Sequence, residues 1–500
     1  MHAIARSLVE KNILANLVGS ASTAFLSFAF VPFYIHFMGI ESFGLVGFFI
    51  TMQAVFLLLD MGLSATVSRE LARLSVMPGS EQEMRNSVRT LELVYAALAA
   101  VVVTVVIGVA PWISEKWLDA SQMPPETIHQ SIVLMAIVIA VRLPTGLYYG
   151  GLQGLQRQIL LNSVRVLIGV VQSGGVVLVL WLVSPTVEAF FIWQAIAAGL
   201  GVILLAWSMW HCLPGGERAR FQIDWFRNVW RFAASMSLIS AASVILLQTD
   251  KIILSKMLTL ENFAYYALAS SVAMGLYNVI SPVFAALYPR FTQLVTSEAD
   301  VEVRDLFHKS CQLMTVLTMP LALVIAAFSE SALQIWTHNG VLAGHSAPIL
   351  SLLIIGTAMN GMMNVPYALV LAHGWTKLSL YSSIISVLLL VPMLFILVPR
   401  YGAVGAATAW LILNAGYIVI NAPIIHGKFL NGEFKEWFFH DVGIPSLAAV
   451  SMVAIFVITM PDEWGYLGQL TWIILAFLAS LVCSILMAPA IRRHVQRILF

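Results

Sequence analysis

"MGIESFG" at residues 38–44 and "LTLENFA" at residues 258–264 share a pattern 220 residues apart, pairing Glu41 with Glu261 and Phe43 with Phe263. "GLQRQIL" at 154–160 matches "GWTKLSL" at 374–380 at the same offset, pairing Gly154 with Gly374 and Arg157 with Lys377. Val187 and Trp193 of "VEAFFIW" match Val404 and Trp410 of "VGAATAW" at an offset of 217. Three collinear matches define a repeat of nearly half the chain, too long for a solenoid period.

The repeated material is membrane helix. Of the 500 residues, 60% are hydrophobic and 10% charged, with a mean hydropathy of +0.89, outside the balance of a soluble domain. A hydrocarbon core of roughly 30 Å takes about 20 apolar helical residues per crossing. Runs of that kind predict fourteen spans, starting near Leu14, Phe43, Leu91, Ile132, Ile159, Ala189, Phe232, Phe263, Cys311, Ala347, Leu378, Ala403, Val442 and Leu467. The polar leader "MHAIARSLVEKN" has no cleavage-site pattern after it, so the first span is expected to be retained.

Six spans per repeat is an even number, so both copies enter the membrane from the same side, as a parallel repeat about an axis along the membrane normal. The expected fold class is therefore an all-α polytopic membrane protein of about fourteen transmembrane helices. Residues 1–215 form an N-lobe (spans 1–6), residues 216–427 a C-lobe (spans 7–12), and residues 428–500 an appended pair, spans 13–14, with a tail. On the assumption of an inside N-terminus, 20 of the 26 Lys and Arg residues fall in cytoplasmic segments. Lys116, Lys256 and Arg400 fall outside, and Arg142, Arg165 and Lys251 fall within spans. This asymmetry follows the positive-inside rule and predicts both termini in the cytoplasm. The cysteines Cys212, Cys311 and Cys483 show no paired spacing, so no disulfide framework is implied.

Charges inside spans are costly and mark candidate sites. Arg142 lies ten residues past Ile132, about 15 Å deep, with no acidic neighbour in its own helix. It reads either as a contact for a substrate anion or as half of a structural ion pair. Arg165, six residues into span 5, reads as a cavity residue or as part of an ion-pair cluster with Asp60 and Glu92. Asn360, Asn364, Asn278, Asn414 and Gln53 are suited to hydrogen-bonding sugars, or merely tie helices together. Tyr148, Tyr149 and Tyr367 are open between cavity and packing. Asp250 and Lys251, adjacent in "LLQTDKIILSKML" at 246–258, sit toward the outer end of span 7. Neighbours on a helix diverge by about 100°, so the two are not expected to neutralise one another simply. Pro144 of "VRLPTGLYYGGLQG" and Pro366 of "MMNVPYALVLAHG" predict helix breaks at matching depths of spans 4 and 10, which in transporters of this build point to the substrate site.

The chemistry of enzymes is missing from the sequence. It has no HExxH, P-loop, GxSxG or paired-aspartate glycosyltransferase motif, and its eleven histidines show no metal-ligand spacing. No basic face for nucleic acid stands out beyond what topology explains.

Four stretches carry a family resemblance: "FMGIESFGLVGFFITMQAVFLLLDMGLSATVSRELARL" at 37–74, "QTDKIILSKMLTLENFAYYALA" at 248–269, "LYPRFTQL" at 287–294 and "LAHGWTKLSLYSSIISVLLLVP" at 371–392. Together they resemble the Wzx-type oligosaccharide flippases of the multidrug/oligosaccharidyl-lipid/polysaccharide exporter superfamily. The resemblance implies two six-helix lobes alternating in access around a cationic cavity. It also implies a passenger, undecaprenyl diphosphate carrying a short oligosaccharide, turned from the cytoplasmic to the periplasmic leaflet of a bacterial inner membrane for O-antigen or related polysaccharide assembly. Polysaccharide polymerase and ligase are the implied protein partners, no cofactor is implied, and an H+ or Na+ gradient is the implied drive. Arg142 best suits the diphosphate, with Arg165, Lys251, Asn360, Asn364 and Tyr148 as further substrate contacts. Asp60, Glu92 and Asp250 are left for ion coupling or structural pairs. Fourteen spans exceed the twelve usual in close relatives, so spans 13–14 have no assigned role. The competing expectations are a drug/cation antiporter of the same superfamily, a membrane enzyme of lipid-linked glycans, and a non-transporting scaffold.

Overall fold

The computed structural model describes residues 28–60, 62–227, 247–461 and 464–499, with Gly19, Ser22, Phe25 and Leu26 besides. Among these the protein is all-α, with one isolated bridge between Asp119 and Thr259 in place of any strand. The helices in the first half are α1 (Val31–Met38), α2 (Ile40–Phe56), α3 (Leu63–Leu74), α4 (Glu81–Trp112), α5 (Pro125–Arg142), α6 (Thr145–Gly154), α7 (Gln158–Leu182), α8 (Val187–Cys212) and α9 over 247–257. The second half holds α10 (Leu260–Met274), α11 (Tyr277–Thr296), α12 (Asp300–Ala327), α13 (Ser329–Thr337), α14 (Gly340–Ala372), α15 (Thr376–Gly416) and α16 (Ala422–Phe429), followed by α17 (Ile444–Ile458), α18 (Tyr466–Leu486) and α19 (Pro489–Leu499).

Eleven stretches among the described residues are long and apolar enough to cross a membrane. Ten correspond one to one with expected spans. The eleventh and twelfth spans share the stretch Leu380–Phe429, whose backbone breaks at Gly402 (φ 58°, ψ −139°), a conformation open to glycine and closed to residues with a Cβ. The starts of the first and seventh spans, near Leu14 and Phe232, lie outside the described residues. Val101, Val105, Trp181, Ile203 and Leu467 stand exposed on these helices, as lipid-facing positions do.

Helix ends follow local chemistry. The Thr186 hydroxyl accepts from Ala189 N at 3.3 Å to start α8, and Asn339 Oδ1 accepts from Leu342 N at 3.1 Å to start α14. The repeat pair Glu41 and Glu261 both stand in the first turn of a helix, where a carboxylate meets the positive end of the helix dipole. Glu41 is buried there and accepts the backbone N–H groups of Ser121 and Gln122.

By packing, the chain divides into two compact units, Met1–Glu261 and Asn262–Phe500. The end of span 7 goes with the first unit: Trp117 Nε1 donates to Ser255 Oγ at 3.0 Å, and Leu260 N to Asp119 O at 2.7 Å. The core of this unit gathers Leu63, Val67 and Leu71 of α3 with Val88, Leu91 and Tyr95 of α4, Leu147 and Leu152 of α6, and Met209 of α8. In the second unit α12 is the shared wall, packed against α11, α14, α17 and α18.

The two prolines expected to break spans 4 and 10 behave differently. At Leu143–Pro144 the chain leaves α5 and restarts as α6. Pro366 instead lies buried within α14, which runs from Gly340 to Ala372 without a break, so the matched interruption is corrected to one half only. A proline removes one helical hydrogen bond and crowds the carbonyl four residues back. Packing of α14 against α11, α12 and α15 keeps the helix running past that cost.

Candidate functional site

The interrupted helices of the first unit face a common space. Span 2 tightens into a 3₁₀ turn at Leu57–Asp60 before α3, and span 4 breaks between α5 and α6. Irregular backbone inside a membrane is tolerated where protein or a hydrated cavity satisfies its polar groups. A cavity of about 360 Å³ lies at these two breaks, lined by Gln53, Leu57 and Asp60 from span 2, by Arg142, Leu143, Thr145, Gly146 and Tyr149 from span 4, and by Arg165 and Gln172 from α7.

Arg142 is the last residue of α5, eighteenth in the 30-residue stretch Pro125–Gly154, just past its middle. Its guanidinium donates through Nη1 to Gln53 Oε1 at 3.2 Å and through Nη2 to Gln194 Oε1 at 2.5 Å. Its Cζ lies 5.6 Å from the centre of the Phe49 ring, within cation–π range. Its Nε is buried without a hydrogen-bond acceptor. No carboxylate among the described residues lies within ion-pair distance of Arg142. The structural ion pair left open for this residue is thus absent among the described residues, and two neutral amides stand in its place.

Arg165 lines the same cavity as Asp60, but it forms no ion pair with Asp60 or Glu92. Asp60 Oδ2 accepts from Ser64 N at 3.4 Å and from Ser64 Oγ at 2.8 Å, and Oδ1 accepts from the Tyr95 hydroxyl. Glu92 is committed elsewhere: Oε1 accepts from Tyr148 OH at 3.0 Å and Trp210 Nε1 at 2.8 Å, and Oε2 pairs with Arg89 at 3.0 Å. The expected three-way cluster is therefore corrected, because each carboxylate finds donors on its own or an adjacent helix before it reaches α7. Tyr148 is buried against Glu92 and absent from the cavity wall, which its neighbour Tyr149 lines instead. The roughly 100° step between adjacent helical residues separates the two.

Asp250 and Lys251 also depart from expectation. Lys251 Nζ lies 3.6 Å from Asp250 Oδ2 and donates to Leu247 O at 3.3 Å, because the four-carbon stem folds back over the helix despite the angular divergence. Neither residue lines the cavity. In the second unit Asn360 accepts from Tyr277 OH at 2.8 Å and donates to Asn414 Oδ1 at 2.8 Å, a chain joining α11, α14 and α15. Asn364 donates to Asn360 O at 3.0 Å in its own helix. Among the described residues no group of three His, Cys, Asp or Glu is placed to hold a metal ion.

The sequence reading missed Gln194, Gln172 and a glycine ridge. Gln194 is a lone amide in the apolar run "FFIWQAIAAG", and a census of every amide within the spans finds it. Gly146, Gly150 and Gly154 recur at intervals of four on α6, opposite Asp60, Ser64 and Ser68. A Cβ on Gly150 would stand 2.2 Å from Ser64 O, and one on Gly154 would stand 2.3 Å from Ser68 O. The ridge lets the α6 and α3 backbones touch, and Tyr149 on the same helix lines the cavity wall.

Residues 9–295 match the family model described as polysaccharide biosynthesis protein, and residues 236–396 match the MatE model. The chain is 21% identical over 403 residues to the "Putative O-antigen transporter" of Shigella flexneri, a match covering 80% of this chain and 94% of that protein. A structure of the lipid II flippase MurJ in an inward closed conformation superposes with a TM-score of 0.66 at 15% identity, over 94% of this chain and 97% of that one. An inward-facing multidrug resistance MATE family transporter gives 0.65 at 12% identity, over 83% and 96%. These structural likenesses concern the fold.

Proposed function

The chain belongs to the polysaccharide biosynthesis protein family, within the multidrug/oligosaccharidyl-lipid/polysaccharide exporter superfamily, and on that premise we propose that it translocates lipid-linked oligosaccharide diphosphate by alternating access. It is a multi-pass membrane transporter. Its passenger in this reading is undecaprenyl diphosphate bearing a short oligosaccharide, moved from the cytoplasmic to the periplasmic leaflet of a bacterial inner membrane for O-antigen or related surface polysaccharide. Polymerase and ligase proteins are its downstream partners, and both termini are cytoplasmic.

The observation that carries this reading is Arg142, a cation at mid-span in the cavity wall with no carboxylate within ion-pair distance among the described residues. Moving a diphosphate through hydrocarbon requires compensating positive charge in a hydrated space. Arg165 supplies a second cation on the same wall, while Gln172, Tyr149 and Gln53 offer hydrogen bonds to an anion or a sugar. Asp60 lines that wall, and in this reading it is the carboxylate that couples an H+ or Na+ gradient. Lys251, Asn360, Asn364 and Tyr148 hydrogen-bond within or between helices and do not line this cavity, so this reading rests on Arg142 and Arg165, while Glu92 and Asp250 are read as structural partners.

One observation favours a drug/cation antiporter: Asp60 also faces the cavity and would attract a cation. The test replaces Arg142 with Ala, Lys and Glu and measures membrane level together with lipid-linked oligosaccharide reaching the periplasmic face. Transport is expected to survive in part in Arg142→Lys and to fall at least about tenfold in Arg142→Glu at equal protein level. Normal translocation by Arg142→Glu, or uptake of a lipophilic cation that improves in it, sinks the anion reading.

A further inference from the structure

Buried arginines in membrane helices are usually balanced by carboxylates, because an unpaired guanidinium is costly to keep from water. Arg142 is balanced differently. Gln53 reaches it from α2 and Gln194 from α8, so three helices converge on one guanidinium. Each contributes a neutral carbonyl oxygen. Such acceptors satisfy N–H groups and fix the plane of the guanidinium, yet they subtract no charge. The two bonds use two of its five N–H donors, and Nε has no acceptor. Asp60, the carboxylate on the same cavity wall, is occupied by Ser64 and Tyr95.

We propose that Gln53 and Gln194 are specificity-determining positioning residues that hold Arg142 in a fixed orientation as an uncompensated cation for an anionic oxygen, of phosphate type, on the passenger. The inference rests on the reading of Arg142 as the passenger contact and adds the reason for its neutral partners. A glutamate at either position would keep the shape and the acceptor while cancelling the charge internally. The passenger's anion would then have to displace a resident carboxylate.

This separates charge from structure, because the two roles predict opposite outcomes. A purely structural clamp works as well or better with a carboxylate in place of the amide. A clamp that preserves charge does not.

The experiment uses the full chain in proteoliposomes containing a fluorescent polyprenyl diphosphate disaccharide, comparing wild type with Gln53→Glu, Gln194→Glu and Arg142→Gln. Melting temperature is measured on the same preparations. The Glu variants are expected to melt at or above the wild-type temperature and to transport at least about tenfold more slowly, approaching Arg142→Gln. Wild-type transport by the folded Glu variants beside an inactive Arg142→Gln overturns the clamp and leaves the functional reading standing. Wild-type transport by Arg142→Gln overturns the functional reading itself. Should the Glu variants fail to fold, Gln53→Asn carries the test as a neutral amide acceptor on a stem one methylene shorter. It is expected to retain at least about a third of wild-type transport, and a larger loss in this uncharged variant contradicts the proposal.

Discussion

Glu92 and Asp60 show how much a carboxylate's neighbours decide. Both lie in the first unit close to Arg165 in sequence-derived depth, and a reading from charge alone ties all three together. In the structure Glu92 holds Tyr148, Trp210 and Arg89, and its side chain is mostly buried. Removing it leaves the Tyr148 hydroxyl and the Trp210 indole N–H without an acceptor, each at roughly 1–3 kcal/mol. Glu92→Ala is therefore expected to lower the melting temperature by several degrees while transport per folded molecule stays near wild type. Loss of ion dependence without loss of stability would show that Glu92 couples transport instead. Asp60→Asn is the complementary case: the amide oxygen keeps an acceptor for one of the two partners, Ser64 or Tyr95, and its NH2 can donate to the hydroxyl oxygen of the other, so the fold is expected to survive. If Asp60 couples an ion gradient, transport measured against an imposed H+ or Na+ gradient loses its gradient dependence in this variant. Retained dependence contradicts the coupling role.

At the level of elements, the α6 glycine ridge sets the packing of α6 on α3. Gly150→Ala places a methyl group where Ser64 O already sits, so the backbones must separate, at a cost of about 1–3 kcal/mol typical of overpacking. Gly108 provides the control: a Cβ there meets nothing within 4 Å, and alanine in a helix interior is favoured over glycine by up to about 1 kcal/mol. Thermal melting in detergent is expected to fall for Gly150→Ala and to hold or rise for Gly108→Ala. Equal shifts in the two would contradict close backbone packing. Glycines four apart stand in the sequence, but they read as a ridge only once the structure shows which helix they face. The break at Pro144 and the continuity through Pro366 could not be told apart from sequence, because packing partners decide whether a proline interrupts a helix.

At the scale of the whole molecule, apolar runs were enough to place ten spans one to one among the described residues and two more in a shared stretch, and the repeat pair Glu41 and Glu261 both stand in the first turn of a helix. The appended spans had no sequence-derived role, and their seating depends on contacts distant in the chain. Asp441, buried at the start of span 13, accepts from Gln312 Nε2 at 2.9 Å and meets His308 Nδ1, both on α12. Gln312 Oε1 in turn accepts from Ala490 N at 2.9 Å, fastening α19 to the same point. Asp441→Ala is expected to cost about 3–5 kcal/mol and to speed proteolysis around residues 430–436, with Asp441→Asn intermediate. Unchanged cleavage rates would show that the seam lies elsewhere. Gln194 was hidden for a related reason: its meaning comes from Arg142, 52 residues away, and no local pattern links them. The most direct measurement of the central claim is transfer of an undecaprenyl diphosphate-linked oligosaccharide between the leaflets of proteoliposomes holding the wild-type chain. The lipid-linked sugar is expected to become accessible on the opposite leaflet faster than in protein-free vesicles. Transfer no faster than in those vesicles, with uptake of a lipophilic cation instead, would contradict the account.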